Sequence, residues 1–187
     1  SIYGPMFLTS MILQAFAFLV LFALWRDRKA GVQPIDVSTR NDLANLLLAF
    51  IVLWAYMNFM QYIIIWAGNI QEEVGWFRRR GEGGWQWIII PLVIIQFAAP
   101  FLLLLFRQVK NRRQFLASLC VVLLLSRFAD LYWLIMPAFY REGFTLSWPA
   151  LAATVALGGL WLGGATFHFR RYGLREYEAW TEGGHHG

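Results

Sequence analysis

The chain has 187 residues, of which 59% are hydrophobic and only 14% charged, and its mean hydropathy is +0.51. A soluble domain carries about 25% charged residues, so this chain cannot cover itself with a polar surface, and soluble, disordered and disulfide-scaffold classes are excluded. The net charge of +5 comes from sixteen basic residues, fourteen of them Arg, set in short clusters between apolar runs; that is the pattern of membrane loops against an anionic leaflet, and no nucleic-acid partner is expected.

A bilayer core needs about 20 apolar residues as helix, and five runs reach that length. The first extends from about 3 to 25 and is stopped by Arg26, Asp27, Arg28 and Lys29. The second, about 43–66, follows the polar stretch Ser38-Thr39-Arg40-Asn41-Asp42, which is rich in helix-capping residue types. The third, about 85–106, contains Pro91 and Pro100, and the fourth, about 115–136, is closed by Pro137. The fifth, about 148–169, begins at Trp148-Pro149, with proline suited to a first helical turn. The runs are continuous and about twice the length of barrel strands. The expected fold is therefore an all-α, polytopic bundle of five transmembrane helices over residues 1–171, followed by a polar C-terminal tail, 172–187.

Basic residues set the expected orientation. Eleven lie in the first loop, the third loop and the tail, four lie in the other loops, and Arg127 falls within a span. This places the N-terminus outside and the C-terminus in the cytoplasm. Trp66, Trp76, Trp85, Trp87 and Trp148 then gather at the outer interface, where tryptophan is enriched. No basic residue precedes the first run, so no cleavable signal peptide is read. Because the chain opens on Ser1 and has an odd number of spans, preceding helices are expected.

In hydrocarbon a polar side chain needs a partner, so intramembrane polar groups are where function is sought. Arg127 and Asp130 lie three residues apart on one face of the fourth span, with Ser126 and Trp133 on the same face. One reading makes them a structural ion pair that fixes the helix in a bundle. The other makes Asp130 a proton-carrying carboxylate whose affinity Arg127 tunes. The second span carries Asn58, Gln61 and Tyr62 at i, i+3 and i+4, with Asn69 eleven residues after Asn58. Such a stripe packs against another helix or lines a hydrated cavity. Glu72 and Glu73 follow beside Arg78, Arg79 and Arg80, as a solvated, ion-paired loop or as a proton exit. His168 is the one histidine near a span end, so paired-histidine haem ligation is not supported. Gly159 and Gly163 form a small-residue surface suited to tight helix packing. No metal-ligand spacing, nucleophile elbow or phosphate loop is present, and the single Cys120 has no partner.

Two stretches are more specific. Gln61-Tyr62-Ile63-Ile64-Ile65-Trp66-Ala67-Gly68-Asn69-Ile70-Gln71-Glu72-Glu73 and Asp130-Leu131-Tyr132-Trp133-Leu134-Ile135-Met136-Pro137 resemble signatures of the second large membrane subunit (ActF-type) of alternative complex III, the bacterial quinol:cytochrome c oxidoreductase. The resemblance covers essentially all five spans and corresponds to the C-terminal half of a roughly ten-helix subunit. It implies a multi-pass subunit of the bacterial inner (plasma) membrane that binds no cofactor or metal itself. Quinol, iron–sulfur clusters and haem c would belong to partners: a quinol-binding membrane subunit, an iron–sulfur protein and a multihaem cytochrome c. The subunit's implied role is to scaffold the complex and offer a proton path. This chain departs from the family in having Arg127 where a His is usual, Gln71 where a Pro is usual, and a different tail. An arginine stays charged and cannot shuttle protons. Two other classes fit the residues alone: a small transporter or channel using Arg127, Asp130 and the Asn58/Gln61/Asn69 stripe, and a pure assembly subunit.

Overall fold

The computed structural model describes residues 2–26, 35–69, 71–81, 84–139 and 147–168, and every regular element among them is helical. In chain order these are α1 (Tyr3–Arg26), α2 (Val37–Gly68), α3 (Gln71–Gly81), α4 (Gln86–Val93), a π-helical turn (Ile94–Ala98), α5 (Ala99–Leu105), α6 (Arg107–Asn111), α7 (Arg113–Ile135) with a 3₁₀ turn (Met136–Ala138), and α8 (Trp148–His168). Five helical stretches are long and apolar enough to cross a membrane: Tyr3–Arg26, Val37–Gly68, Gln86–Leu105, Arg113–Ala138 and Trp148–His168.

Four of these stretches belong to one unit, residues 1–144. Its packing follows from spacing. Leu13, Ala17, Val20 and Leu24 on α1, and Ala44, Leu47, Ile51 and Trp54 on α2, recur at intervals of three and four residues. That interval keeps one stripe of each helix facing its neighbour. The two stripes close on Leu104 of α5 and on Leu116, Leu119, Cys120 and Leu123 of α7. Ala17, Ala44 and Cys120 are fully buried, and such small side chains let helices approach closely where lipid supplies no hydrophobic drive. Phe16 and Phe50 add a ring contact at 5.3 Å between centroids. Polar side chains tie this end together. Arg113 donates to the Leu24 carbonyl at 2.7 Å, Lys110 to Asn45 Oδ1 at 2.6 Å, and Asn41 Nδ2 to Asn111 Oδ1 at 2.9 Å.

The helices differ from the sequence expectation at both ends of α2 and in the segment that follows it. α2 starts at Val37, because the polar stretch 38–42 is already helical and Asp36 is the N-cap. The Ser38 hydroxyl donates to the Asp36 carboxylate at 2.6 Å, which holds that carboxyl below its ordinary value. Asn69 does not extend the stripe of α2; it adopts a left-handed conformation (φ 45°) and ends the helix, its N–H reaching the Ile65 carbonyl. The segment carrying Glu72 and Glu73, expected as a loop, is the helix α3, although the side chains of those two acids lie outside the described ones.

The second unit, residues 145–187, contains α8, which opens at Trp148-Pro149 as expected. Within it the Thr154 and Thr166 hydroxyls bond back to the Ala150 and Leu162 carbonyls, both at 2.9 Å, which satisfies them inside their own helix. The tail 172–187 lies outside the described residues.

Candidate functional site

The third span is where the backbone is least regular. Pro100 has no N–H to offer the Gln96 carbonyl one turn back, and its ring would collide with that oxygen in a regular α-helix. The chain widens instead. Ala99 N–H bonds to the Ile94 carbonyl, five residues back, and Ile94–Ala98 form the π turn. Such turns often occur at functional positions in helices. Here the turn places Gln96, 1% exposed, inside the bundle, where its Nε2 donates to the Ser126 carbonyl of α7 at 3.0 Å. Gln96 Oε1 is buried with no hydrogen-bond partner among the described residues.

Beside this contact the helices separate around a cavity of about 780 Å³. α1 contributes Tyr3, Met6, Phe7 and Ser10; α2 contributes residues from Val52 to Ile65, including Asn58, Gln61 and Tyr62; α3 contributes Trp76; the third span contributes Ile89, Leu92, Val93 and Phe97; α7 contributes Arg127, Asp130, Trp133 and Leu134. The walls are largely aromatic and aliphatic, and the charged groups are confined to the α7 side.

Arg127 and Asp130 form an ion pair across one turn of α7, with side chains 12% and 17% exposed. The guanidinium carbon also lies 5.6 Å from the Phe7 ring centre, a favourable placement of a cation over an aromatic face. Gln61 is buried, and its Oε1 accepts the Ile2 N–H at 2.8 Å, which pins the start of α1 to α2. Asn58 donates to its own helix, to the Trp54 carbonyl at 2.8 Å. The Ser126 hydroxyl also stays within its helix, on the Leu123 carbonyl at 3.0 Å.

A second cluster closes this end. Trp85, Leu92 and Trp133 are its buried core, with Trp76, Ile88, Ile89, Tyr132 and Met136 against them. Trp76 meets Trp133 edge-to-face at 6.1 Å, and Trp85 meets Tyr132 at 6.2 Å. Arg80 is 4% exposed here and is no solvated loop residue. Its guanidinium lies over Trp76 at 3.5 Å and donates to the Trp76 carbonyl at 2.9 Å and to the Leu134 carbonyl. Leu134 is in the last turn of α7, where carbonyls have no partner within the helix and a cation is favoured.

The structure thus brings Asn58, Gln61, Tyr62, Arg127 and Asp130 to one cavity, with Ser126 behind it on Gln96. Asn69 stands outside it, and His168 belongs to the other unit. Sequence pattern singles out neither Gln96 nor the burial of Arg80: the first is one amide in an apolar run, the second one of three consecutive arginines. Proline four residues after Gln96 is the signal that a wide turn was available. Among the described residues no three His, Cys, Asp or Glu side chains come together as a metal site would require. Comparison of the sequence with protein-family models and with curated proteins finds no match.

Proposed function

We propose that this chain is an integral membrane subunit, free of redox centres, of a quinol:electron-acceptor oxidoreductase of the alternative complex III type. It scaffolds the complex, and the cluster around Asp130 is its candidate for a proton path, to be separated by experiment from a purely structural ion pair. One observation carries the reading. The two stretches that resemble the family lie on different helices, 69 residues apart from Gln61 to Asp130, yet Gln61, Tyr62 and Ile65 of one line the same cavity as Asp130, Trp133 and Leu134 of the other. Residues that share a cavity share a constraint, which is a reason for two distant segments to carry one family's pattern.

In this reading the chain spans a bacterial inner membrane with the cavity end of the bundle outward, as the basic asymmetry requires. The same asymmetry fixes the labelling sites. Gly81 is exposed and an added Cβ meets nothing within 4 Å, Gln108 is exposed at the opposite end, and the native Cys120 is buried. Gly81→Cys should react with an impermeant maleimide from outside, and Gln108→Cys only after permeabilisation. Purification in mild detergent tests the assembly. A multihaem c-type cytochrome and an iron–sulfur protein should co-elute in fixed ratio, whereas a chain that purifies alone from such membranes would sink the subunit reading.

A further inference from the structure

We propose that the cavity between α1, α2, the third span and α7 is a binding site for a neutral amphiphile, a molecule with a hydrocarbon body and an uncharged hydroxyl or carbonyl head. The proposal goes beyond the subunit reading and does not depend on it.

The first argument is size and wall chemistry. About 780 Å³ lies within the roughly 300–1,000 Å³ typical of small-molecule sites. Ordered water needs two to four polar partners each, and most of this wall offers none, being built from Val52, Phe59, Ile89, Phe97 and similar side chains. A hydrocarbon body suits that surface, and five helices apolar enough to cross a bilayer place the cavity within reach of lipophilic molecules.

The second argument is the head group. The charged part of the wall is the Arg127–Asp130 pair, whose formal net charge is zero, and the amides of Asn58 and Gln61 beside it are neutral. A charged head entering this low-dielectric space would neutralise one partner and leave the other uncompensated, at the cost of a broken buried pair. A neutral head avoids that cost. Arginine has five N–H donors and a carboxylate about four lone-pair sites, and the hydrogen bond between Arg127 and Asp130 engages only part of either set. A hydroxyl can accept from Arg127 and donate to Asp130 together; a carbonyl can accept from Arg127. The pair then acts as one dipolar recognition element.

Trp54, Trp76 and Trp133 on the wall supply the readout. The 187-residue chain is reconstituted in phosphatidylcholine nanodiscs and titrated with brominated twelve-carbon chains ending in hydroxyl, carboxylate or ammonium, at a pH where both charged heads are ionised. Bromine quenches tryptophan on contact. The alcohol is expected to give saturable quenching above a linear background from lipid partitioning, with an apparent affinity at least about tenfold tighter than either charged probe. Ala55→Phe, which fills space on the α2 wall, should remove the saturable component. Arg127→Leu/Asp130→Leu should make the three probes equivalent. Strictly linear quenching by the alcohol in the unsubstituted chain overturns the proposal, because it means that water or another helix occupies the space. Equal or tighter binding of a charged probe overturns the head-group assignment. The comparison of the three probes on the unsubstituted chain decides the matter even where a variant fails to fold.

Discussion

At the end of the bundle marked by Leu24, Ala44 and Leu116, helices α1, α2 and α7 close on fully buried leucine, isoleucine and alanine. At the end marked by Met6, Tyr62 and Trp133, the same three helices part around about 780 Å³ and face it with an ion pair, two amides and aromatic rings. The backbones are continuous between the two ends, so the difference is made by side chains. Small and aliphatic residues at intervals of three and four let helices interlock. Bulky aromatics and polar groups at the same intervals hold them apart, and the wide turn at Ile94–Ala98 spoils the third span's own register at the boundary. One end therefore carries stability, and the other is free to carry chemistry at a cost in packing.

The comparison breaks most readily on matched alanines. Ala44 is fully buried in the packed end, whereas Ala55 on the same helix is half-buried and lines the cavity. Ala44→Phe should cost about 3 kcal/mol, the upper part of the usual range for overpacking. Ala55→Phe should cost less than about 1 kcal/mol, since the ring has space to enter. Unfolding midpoints in mixed detergent micelles measure both. Equal losses would mean that the cavity end is as tightly constrained as the other.

Next in size is the ion pair. Removing one partner of a fully buried pair costs about 3–5 kcal/mol, and the partial exposure of these side chains reduces the expectation to about 2 kcal/mol. As a structural pair, Asp130→Asn lowers the yield of assembled complex, and Arg127→Gln/Asp130→Asn partly restores it. As a proton carrier, Asp130→Asn assembles normally and loses proton-coupled turnover, which the double substitution does not recover. Asp130 is bonded to Arg127 within its own helix, which is the geometry of a structural pair, so the structural outcome is expected. Unchanged yield and turnover in Asp130→Asn would remove both roles.

The packed end is legible in the sequence because long apolar runs report directly on bilayer-crossing helices, and the Arg127–Asp130 spacing reports on a shared face. The cavity end is legible only in part. Asn58, Gln61 and Tyr62 announce a polar face, but the eleven-residue step to Asn69 presumes a helix that the left-handed Asn69 has already ended. Gln96 is invisible to periodicity because a π turn rotates the residues after it out of the regular register. The segment 71–81 reads as a loop because two acids and three arginines outweigh its apolar positions, yet Trp76 and Arg80, one turn apart, give it a packing face. Misreadings thus gather where tertiary contacts, and not local pattern, decide the conformation.

The smallest effect tests how each end secures a helix terminus. Both use an arginine on a neighbouring element: Arg113 donates to the Leu24 carbonyl near the end of α1, and Arg80 donates to the Leu134 carbonyl near the end of α7. The surroundings differ. Arg113 is half-buried at the polar edge of the packed end, whereas Arg80 is 4% exposed and stacked on Trp76. A hydrogen bond to a charged group contributes about 1.5–3 kcal/mol net, and a desolvated cation over tryptophan adds up to about 2 kcal/mol. Glutamine retains a donor at each place, so Arg80→Gln should destabilise by about 2 kcal/mol and Arg113→Gln by about 1 kcal/mol. Added salt should widen that gap. Screening weakens the more exposed arginine in the unsubstituted chain, which shrinks the Arg113→Gln loss, and leaves the buried one nearly untouched. Unfolding midpoints of both variants, each paired with the unsubstituted chain at low and at high salt, measure the effect. A salt-insensitive Arg80→Gln loss beside a salt-sensitive Arg113→Gln loss supports the contrast between a desolvated and a solvated terminus. The reverse pattern would mean that water and ions reach Arg80 through the cavity end, and that the aromatic cluster around it does not seal the last turn of α7.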